Sequence, residues 1–266
     1  MTTRSRRRGM LAALSAAMLA SLLLATIAPV TASAITSTES RLMGWINADR
    51  EALGLRPFRG WYKLHDIAGV RASRMASANR ATHSTGGNLG SQLSAKNIKS
   101  WMWGEVIGYS TYPRGTEAAK SIYNLWKKSS SHWALITSRR FNYVGVGLAY
   151  RSSNGKTFAS VVFSESPDHT GARSSVRSVT ESSRDVKWTW SGYDVPLQTH
   201  TSGFKNWDVQ YRVDSGSWRT IRSGTTTTSF TAADRTRGHW YGLRVRGRDR
   251  AGNVGSWTAE KKIWVR

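Results

Sequence analysis

The sequence predicts an α+β protein in two parts, an α-β-α sandwich followed by an antiparallel β-sandwich. Three observations carry this. Helical apolar spacing recurs in three stretches between residues 36 and 130, a strand pair between 143 and 164 has no polar face, and from residue 185 strand-like alternation runs uninterrupted by helix.

The chain begins with Arg4, Arg6, Arg7 and Arg8, an apolar run from Met10 to Val30, and Ala32-Ser33-Ala34. This is the layout of an export leader with a small-x-small cleavage site after Ala34. Arg7-Arg8 suits twin-arginine export as well as an ordinary secretory leader, and the length of the apolar run leaves an uncleaved anchor open. Cleavage removes four arginines, so the formal charge falls from +23 to +19. No later stretch is apolar and long enough to span a membrane. The absence of cysteine excludes disulfide scaffolds, four-cysteine zinc modules and a cysteine-linked lipid anchor.

Residues 35–165 read as the mixed part. Thr36 and Glu39 have capping-box spacing, and Leu42, Trp45, Ile46 and Leu53 follow at helical intervals until Gly54 stops the run. A second helix is expected over 65–81, with Ile67, Val70, Ala72 and Met75 apolar. A third starts near Thr116, with Ala118, Ile122, Leu125 and Trp126 on one side. Two strands follow, Tyr143–Arg151 and Thr157–Ser164, joined by Ser153-Asn154-Gly155, where Asn-Gly supplies the positive φ of a tight hairpin. Both alternating sets of these strands are apolar or small, so the sheet needs cover on both faces.

Residues 166–184 hold six serines in nineteen positions and no Phe, Tyr or Trp, which reads as a linker, or a linker running into a first strand. Over 185–266 the alternation is clean. Val186, Trp188 and Trp190 alternate with Lys187, Thr189 and Ser191; Trp207, Val209, Tyr211 and Val213 with Asp208, Gln210 and Arg212; Tyr241, Leu243 and Val245 with Arg244, Arg246 and Arg248. These are half-buried strands of a sandwich.

The first part carries a set of short pieces in a fixed order: Ile46-Asn47-Ala48-Asp49-Arg50, His83, Gly104-Glu105-Val106-Ile107, Trp126 through Ser129 to His132, and Phe141-Asn142-Tyr143-Val144-Gly145-Val146-Gly147. With these it resembles the CAP superfamily, also called SCP-like: cysteine-rich secretory proteins, insect antigen 5, plant pathogenesis-related proteins and many secreted bacterial members. The resemblance implies an α-β-α sandwich with a cleft holding two His and two Glu, a set able to bind a divalent metal. His83, Glu105 and His132 match three of the four; the second Glu position is Ser129, and Val106 stands where the family shows Asn.

Two imidazoles and a carboxylate are also the ligand set of an open zinc site with water in the fourth position. The alternative reading is structural, with His83 and His132 tying loops together and Glu105 as their counterion. Ser84, Ser129, Ser130 and Ser131 sit in no nucleophile elbow, which argues against a serine hydrolase.

The second part resembles a fibronectin type III or related immunoglobulin-like domain, through Trp190, Trp207 to Arg212, Tyr241 to Arg246, and Arg248-Asp249-Arg250-Ala251-Gly252-Asn253 before Trp257. Such domains space, adhere or bind partners. Arg244, Arg246 and Arg248 project the same way, and with Trp257 on a neighbouring strand they are expected to form a cation-π ladder.

The expected function is therefore extracellular or cell-surface binding by a secreted, basic CAP-domain protein. Its His/Glu cleft would take a divalent metal such as Zn, a small apolar ligand or a lipid. The alternatives are a metal-assisted extracellular hydrolase and a cationic adhesion module for anionic wall polymers. No nucleic-acid-binding module is recognisable.

Overall fold

The computed structural model describes residues 35–112 and 114–266; the leader and its cleavage after Ala34 lie outside the described residues. Helix α1, Ser37–Ala52, opens on the expected capping box. Thr36 Oγ1 accepts from the Glu39 N–H at 3.2 Å, and the Glu39 carboxylate accepts from the Thr36 N–H at 2.9 Å. Its buried stripe is Leu42, Ile46 and Arg50, while Leu53 falls past the last turn as an exposed cap. The motif around it has local reasons: Asn47 grips the Phe58 backbone with both amide atoms, and Asp49 accepts from the Tyr123 hydroxyl and pairs with Lys127.

The first lobe is built on a four-stranded sheet in the order β1-β3-β4-β2, formed by Arg59–Gly60, Tyr143–Arg151, Lys156–Glu165 and Met102–Ser110; only the β1–β3 pair is parallel. Helix α2, Tyr62–Ala78, covers one face; α1 and α4, Thr116–Lys128, cover the other. The small residues of β3 are there for α2. A Cβ on Gly145 would sit 2.0 Å from the Leu64 carbonyl carbon, and one on Gly147 2.2 Å from that of Ala68, so helix and strand backbones touch. Val144 and Val146 point the other way, into a core with Leu42, Ile46, Ile122 and Trp126. The α2 helix starts and ends three residues earlier than the apolar spacing suggests, because Asn79 takes a left-handed conformation and closes it. Val70 and Leu125, placed on apolar faces from sequence, are exposed. Strand β2 and the short helices α3, Leu89–Ala95, and α5, Ser130–Ile136, have no counterpart in the sequence reading.

The second lobe is a sandwich of a three-stranded sheet, β5-β6-β9, on a four-stranded one, β11-β10-β7-β8, with every pairing antiparallel. The strands are β5 Arg173–Ser182, β6 Asp185–Tyr193, β7 Phe204–Val213, β8 Arg219–Thr225, β9 Ser229–Ala232, β10 His239–Asp249 and β11 Lys261–Val265. Val186, Trp188, Trp190, Trp207, Val209, Tyr241, Leu243 and Val245 interdigitate between the sheets, and Val213 stays outside that core.

Of the two readings of 166–184, the linker running into a first strand is the one the structure matches. Ten of these residues form β5, paired along its length with β6, and Ser166, Asp168 and Ala172 are buried. Composition misleads here because a serine-rich strand is held by its ladder and by Val176 and Val179, which pack on a core supplied by other segments. The β6–β7 connection also reaches into the first lobe. Leu197 joins Leu64 and Ile67 in a core, Asn142 donates to Ser166 O and Thr199 O, and Glu165 meets His200. Arg50 is the deepest of these joints. Its guanidinium donates to the carbonyls of Arg56, Ile136 and Ser138 and to Gln198 Oε1, and lies 3.5 Å from the Phe58 ring centre. Burial pulls its pKa down to about 10.

Candidate functional site

Strand β2 ends the sheet, and its free edge forms one wall of an open cleft of about 740 Å³. Helices α4 and α5 form the second wall, and residues 81–83, just past α2, the third. Trp126, buried behind the cleft, donates its indole N–H to the Ile107 carbonyl at 2.8 Å, filling an acceptor that the sheet edge leaves open. Ile107, Tyr109, Ile122 and Leu125 give the cleft an apolar patch, flanked by the imidazoles of His83 and His132 and by the hydroxyls of Thr82, Ser110, Thr111, Ser121 and Ser129.

The three residues expected to converge do not stand alike. His83 is exposed at the rim, and its Nδ1 lies 2.8 Å from Glu105 Oε2. Glu105 is sealed beneath, its side chain 3 % exposed, and does not line the cleft. Arg71 donates to both its oxygens, Nε to Oε1 at 2.5 Å and an Nη to Oε2 at 2.6 Å, and the Ser160 hydroxyl donates to Oε1 at 2.7 Å. His132, on α5, faces the cleft with its Nδ1 buried and without a partner among the described residues. Burial, and then the charge on neighbouring His83, push its pKa below the ordinary imidazole value. Ser129 joins α4 to α5 at the cleft wall; its Oγ contacts Ser131 Oγ at 3.2 Å, and among the described residues no imidazole or carboxylate bonds it.

Compared with known families, residues 44–163 match the one described as the cysteine-rich secretory protein family, CAP. Residues 44–163 form a CAP domain. Solved structures similar to the chain include an extracellular protein containing an SCP domain from Bacillus anthracis, at 18 % identity over 48 % of this chain and 40 % of that one, TM-score 0.42. An outer surface protein of Borrelia burgdorferi is similar at 18 % identity over 50 % of this chain and 96 % of that one, TM-score 0.43. An Fn3-like protein from Clostridium thermocellum is similar at 16 % identity over 37 % of this chain and 96 % of that one, TM-score 0.27. The chain thus spans less than half the length of the Bacillus protein. No curated protein matches it. Among the described residues no helix is long and apolar enough to cross a membrane.

The CAP cleft as built here does not fit the zinc centre expected from its residue types. Such a centre needs three donors meeting at roughly 2 Å from one point. Both Glu105 oxygens already accept strong hydrogen bonds from Arg71, and His83, Glu105 and His132 do not bring donor atoms within 4.8 Å of one another as a set. What faces the CAP cleft is a pair of imidazoles without a free carboxylate.

Arg71 is the participant that sequence reasoning missed. Its signal was legible: it falls four residues after Ile67 and four before Met75, a charged residue on the buried stripe of an amphipathic helix. A charge there needs a buried partner.

Beyond the CAP domain, the β-sandwich of the second lobe carries the arginine-tryptophan stack on its outer face. Arg244 lies over Trp218 and Trp257, 4.3 and 5.0 Å from the ring centres, and Arg246 over Trp257 at 4.5 Å. Arg212 adds a contact to Trp218 at 4.6 Å. Arg248 does not join: it reaches Asp208 at 3.8 Å and the Gly252 carbonyl at 3.4 Å.

Proposed function

We propose that the protein acts outside the cell as a binding protein whose CAP cleft holds a small apolar or lipid-like ligand. The observation that carries the reading is the cleft's composition. Its lining holds an apolar patch beside two imidazoles, Leu125 and Tyr109 stand exposed at its wall, and its carboxylate is locked away by Arg71. A hydrolase would need a free base or a metal ligand where Glu105 is already committed. The arginine-led leader supports export, and the neighbours described as extracellular or outer-surface proteins agree with it. On this reading the exported chain begins at Ile35.

A fluorescent long-chain fatty acid is the probe. It should bind the parent chain saturably and bind Leu125→Asp at least about tenfold more weakly, the order of loss expected for a charge placed in an apolar contact. Absence of binding to the parent, or equal binding to both, removes the reading.

A second reading, adhesion to anionic wall polymers, is supported by the +19 charge that remains once the leader's four arginines are removed. It predicts retention on such polymers that disappears near 0.5 M salt, where screening acts within roughly 4 Å, while fatty-acid binding persists.

A further inference from the structure

Where the two lobes meet, three aspartates gather without a cation beside them. Asp168 lies in the crossing between lobes, Asp194 just after β6, and Asp249 at the end of β10. One oxygen of each lies within 4.8 Å of an oxygen of each of the others, and the residues are 5, 8 and 0 % exposed. In a chain of +23 none of the three takes part in an ion pair among the described residues.

Their hydrogen bonds come from neutral donors. Asp168 accepts from the Thr170 and Ser202 N–H groups at 2.8 and 2.9 Å and from the Tyr143 hydroxyl at 3.3 Å. Asp249 accepts from the Asn253 N–H and side-chain amide, both at 2.7 Å. Asp194 Oδ2 accepts from the Gly203 N–H at 2.5 Å and the Ser202 hydroxyl at 3.1 Å. Asp194 Oδ1 is sealed from water and has no donor among the described residues.

Burial pushes the Asp194 pKa above the ordinary carboxylate value against the Gly203 N–H, and the neighbouring Asp168 and Asp249 push it the same way. Carboxylates this close, out of water, repel one another strongly when they carry charge, and a positive charge among them relieves that repulsion. The orphan Oδ1 of Asp194 is the acceptor that such a charge would fill.

We propose that Asp168, Asp194 and Asp249 bind a divalent cation, calcium, which ties the CAP lobe to the second lobe. The donors are all oxygens, with no imidazole or sulfur among them, which is the preference of a hard ion. Calcium tolerates an irregular ligand shell completed by water better than magnesium does. Asp194 and Asp249 stand on the second lobe, and Asp168 lies in the crossing, where it also accepts from Tyr143 of the first lobe, so binding stabilises the docked arrangement by mass action.

The test uses the full chain freed of metal with chelator. Calcium should bind one ion per chain and, at a hundredfold excess over its Kd, raise Tm by about 5 °C or more. Asp194→Asn should abolish that rise, and without calcium it should melt no lower than the parent, since one like charge has gone. Should that variant fail to fold, terbium on the parent decides: Tyr143, beside Asp168, should sensitise its luminescence, and calcium should quench it by displacement. The proposal is overturned if calcium leaves the parent's Tm unchanged, if Asp194→Asn keeps the rise, if sodium chloride of matched ionic strength gives an equal rise, or if terbium luminescence is absent or indifferent to calcium.

Discussion

Arg71 and Glu105 meet side by side in a buried two-point ion pair, which joins α2 to β2 immediately beneath the cleft. The same guanidinium donates to the carbonyls of His83 and Gly87, so it fixes the loop that presents His83 as well as the carboxylate that holds the His83 ring. Glu105 therefore acts on the cleft by positioning an imidazole, and it is withheld from anything bound there.

Glu105→Gln should cost about 3–5 kcal/mol in urea unfolding, because Arg71 would be left buried with its charge uncompensated. Replacing both partners, Arg71→Met with Glu105→Leu, should recover much of that loss, since two apolar groups of similar volume leave no orphan charge. A loss below about 1 kcal/mol for Glu105→Gln would show that the pair is not the organising contact described above.

Acidification should weaken the fold through His132. Its folded pKa lies below the ordinary imidazole value, first through burial and then through His83. The unfolded chain therefore binds more protons, and stability rises with pH up to about 6.5 and falls as pH drops below it. His169, lowered mainly by its burial, contributes in the same window, whereas the depressed carboxylates of Asp49, Asp208 and Glu165 lose their contribution only at lower pH. Urea midpoints between pH 7 and 5.5 should fall for the parent and fall less steeply, though still measurably, for His132→Asn. Parallel slopes would exclude His132 as a contributor.

The fold was legible where local chemistry decides it. The Thr36–Glu39 cap, the Asn154-Gly155 hairpin and the alternation around Trp188 and Leu243 are written in short windows of sequence and stand in the structure. Strand β2 escaped because Gly104, Glu105 and Gly108 break its pattern, and each answers to a distant neighbour: Leu135 and Phe141, Arg71, and Ile122 with Trp126. The same holds for β5, whose serines are ordered by β6. Within the site, His83, Ser129 and His132, which the resemblance to the CAP family singled out, all line the cleft. That Glu105 would turn into the interior was not legible, because its partner lies 34 residues earlier in sequence and only the fold brings the two together.

The arginine-tryptophan stack on the sandwich should be a source of stability. Arg244 is held flat between Trp218 and Trp257 by hydrogen bonds from Nε and an Nη to Gln210 Oε1, at 2.9 and 2.7 Å, and Arg246 is fixed by Asp208 at 3.0 Å. An exposed cation-π contact contributes roughly 0.5–1 kcal/mol, so Arg244→Ala, which removes two, should cost about 1–2 kcal/mol, read as a Tm drop of about 2–8 °C for the full chain. Arg246→Ala removes one such contact together with the pairing of Asp208, whose carboxyl burial pushes up while the Gly224 N–H and Arg246 hold it below the ordinary range. Its loss should therefore grow when pH is raised from 3 to 7, and grow more than that of Arg244→Ala, whose charge acts on Glu260 more weakly than Arg212 does. If both variants melt with the parent yet retain less anionic polymer on a column, the arginines are a binding surface and the structural account fails.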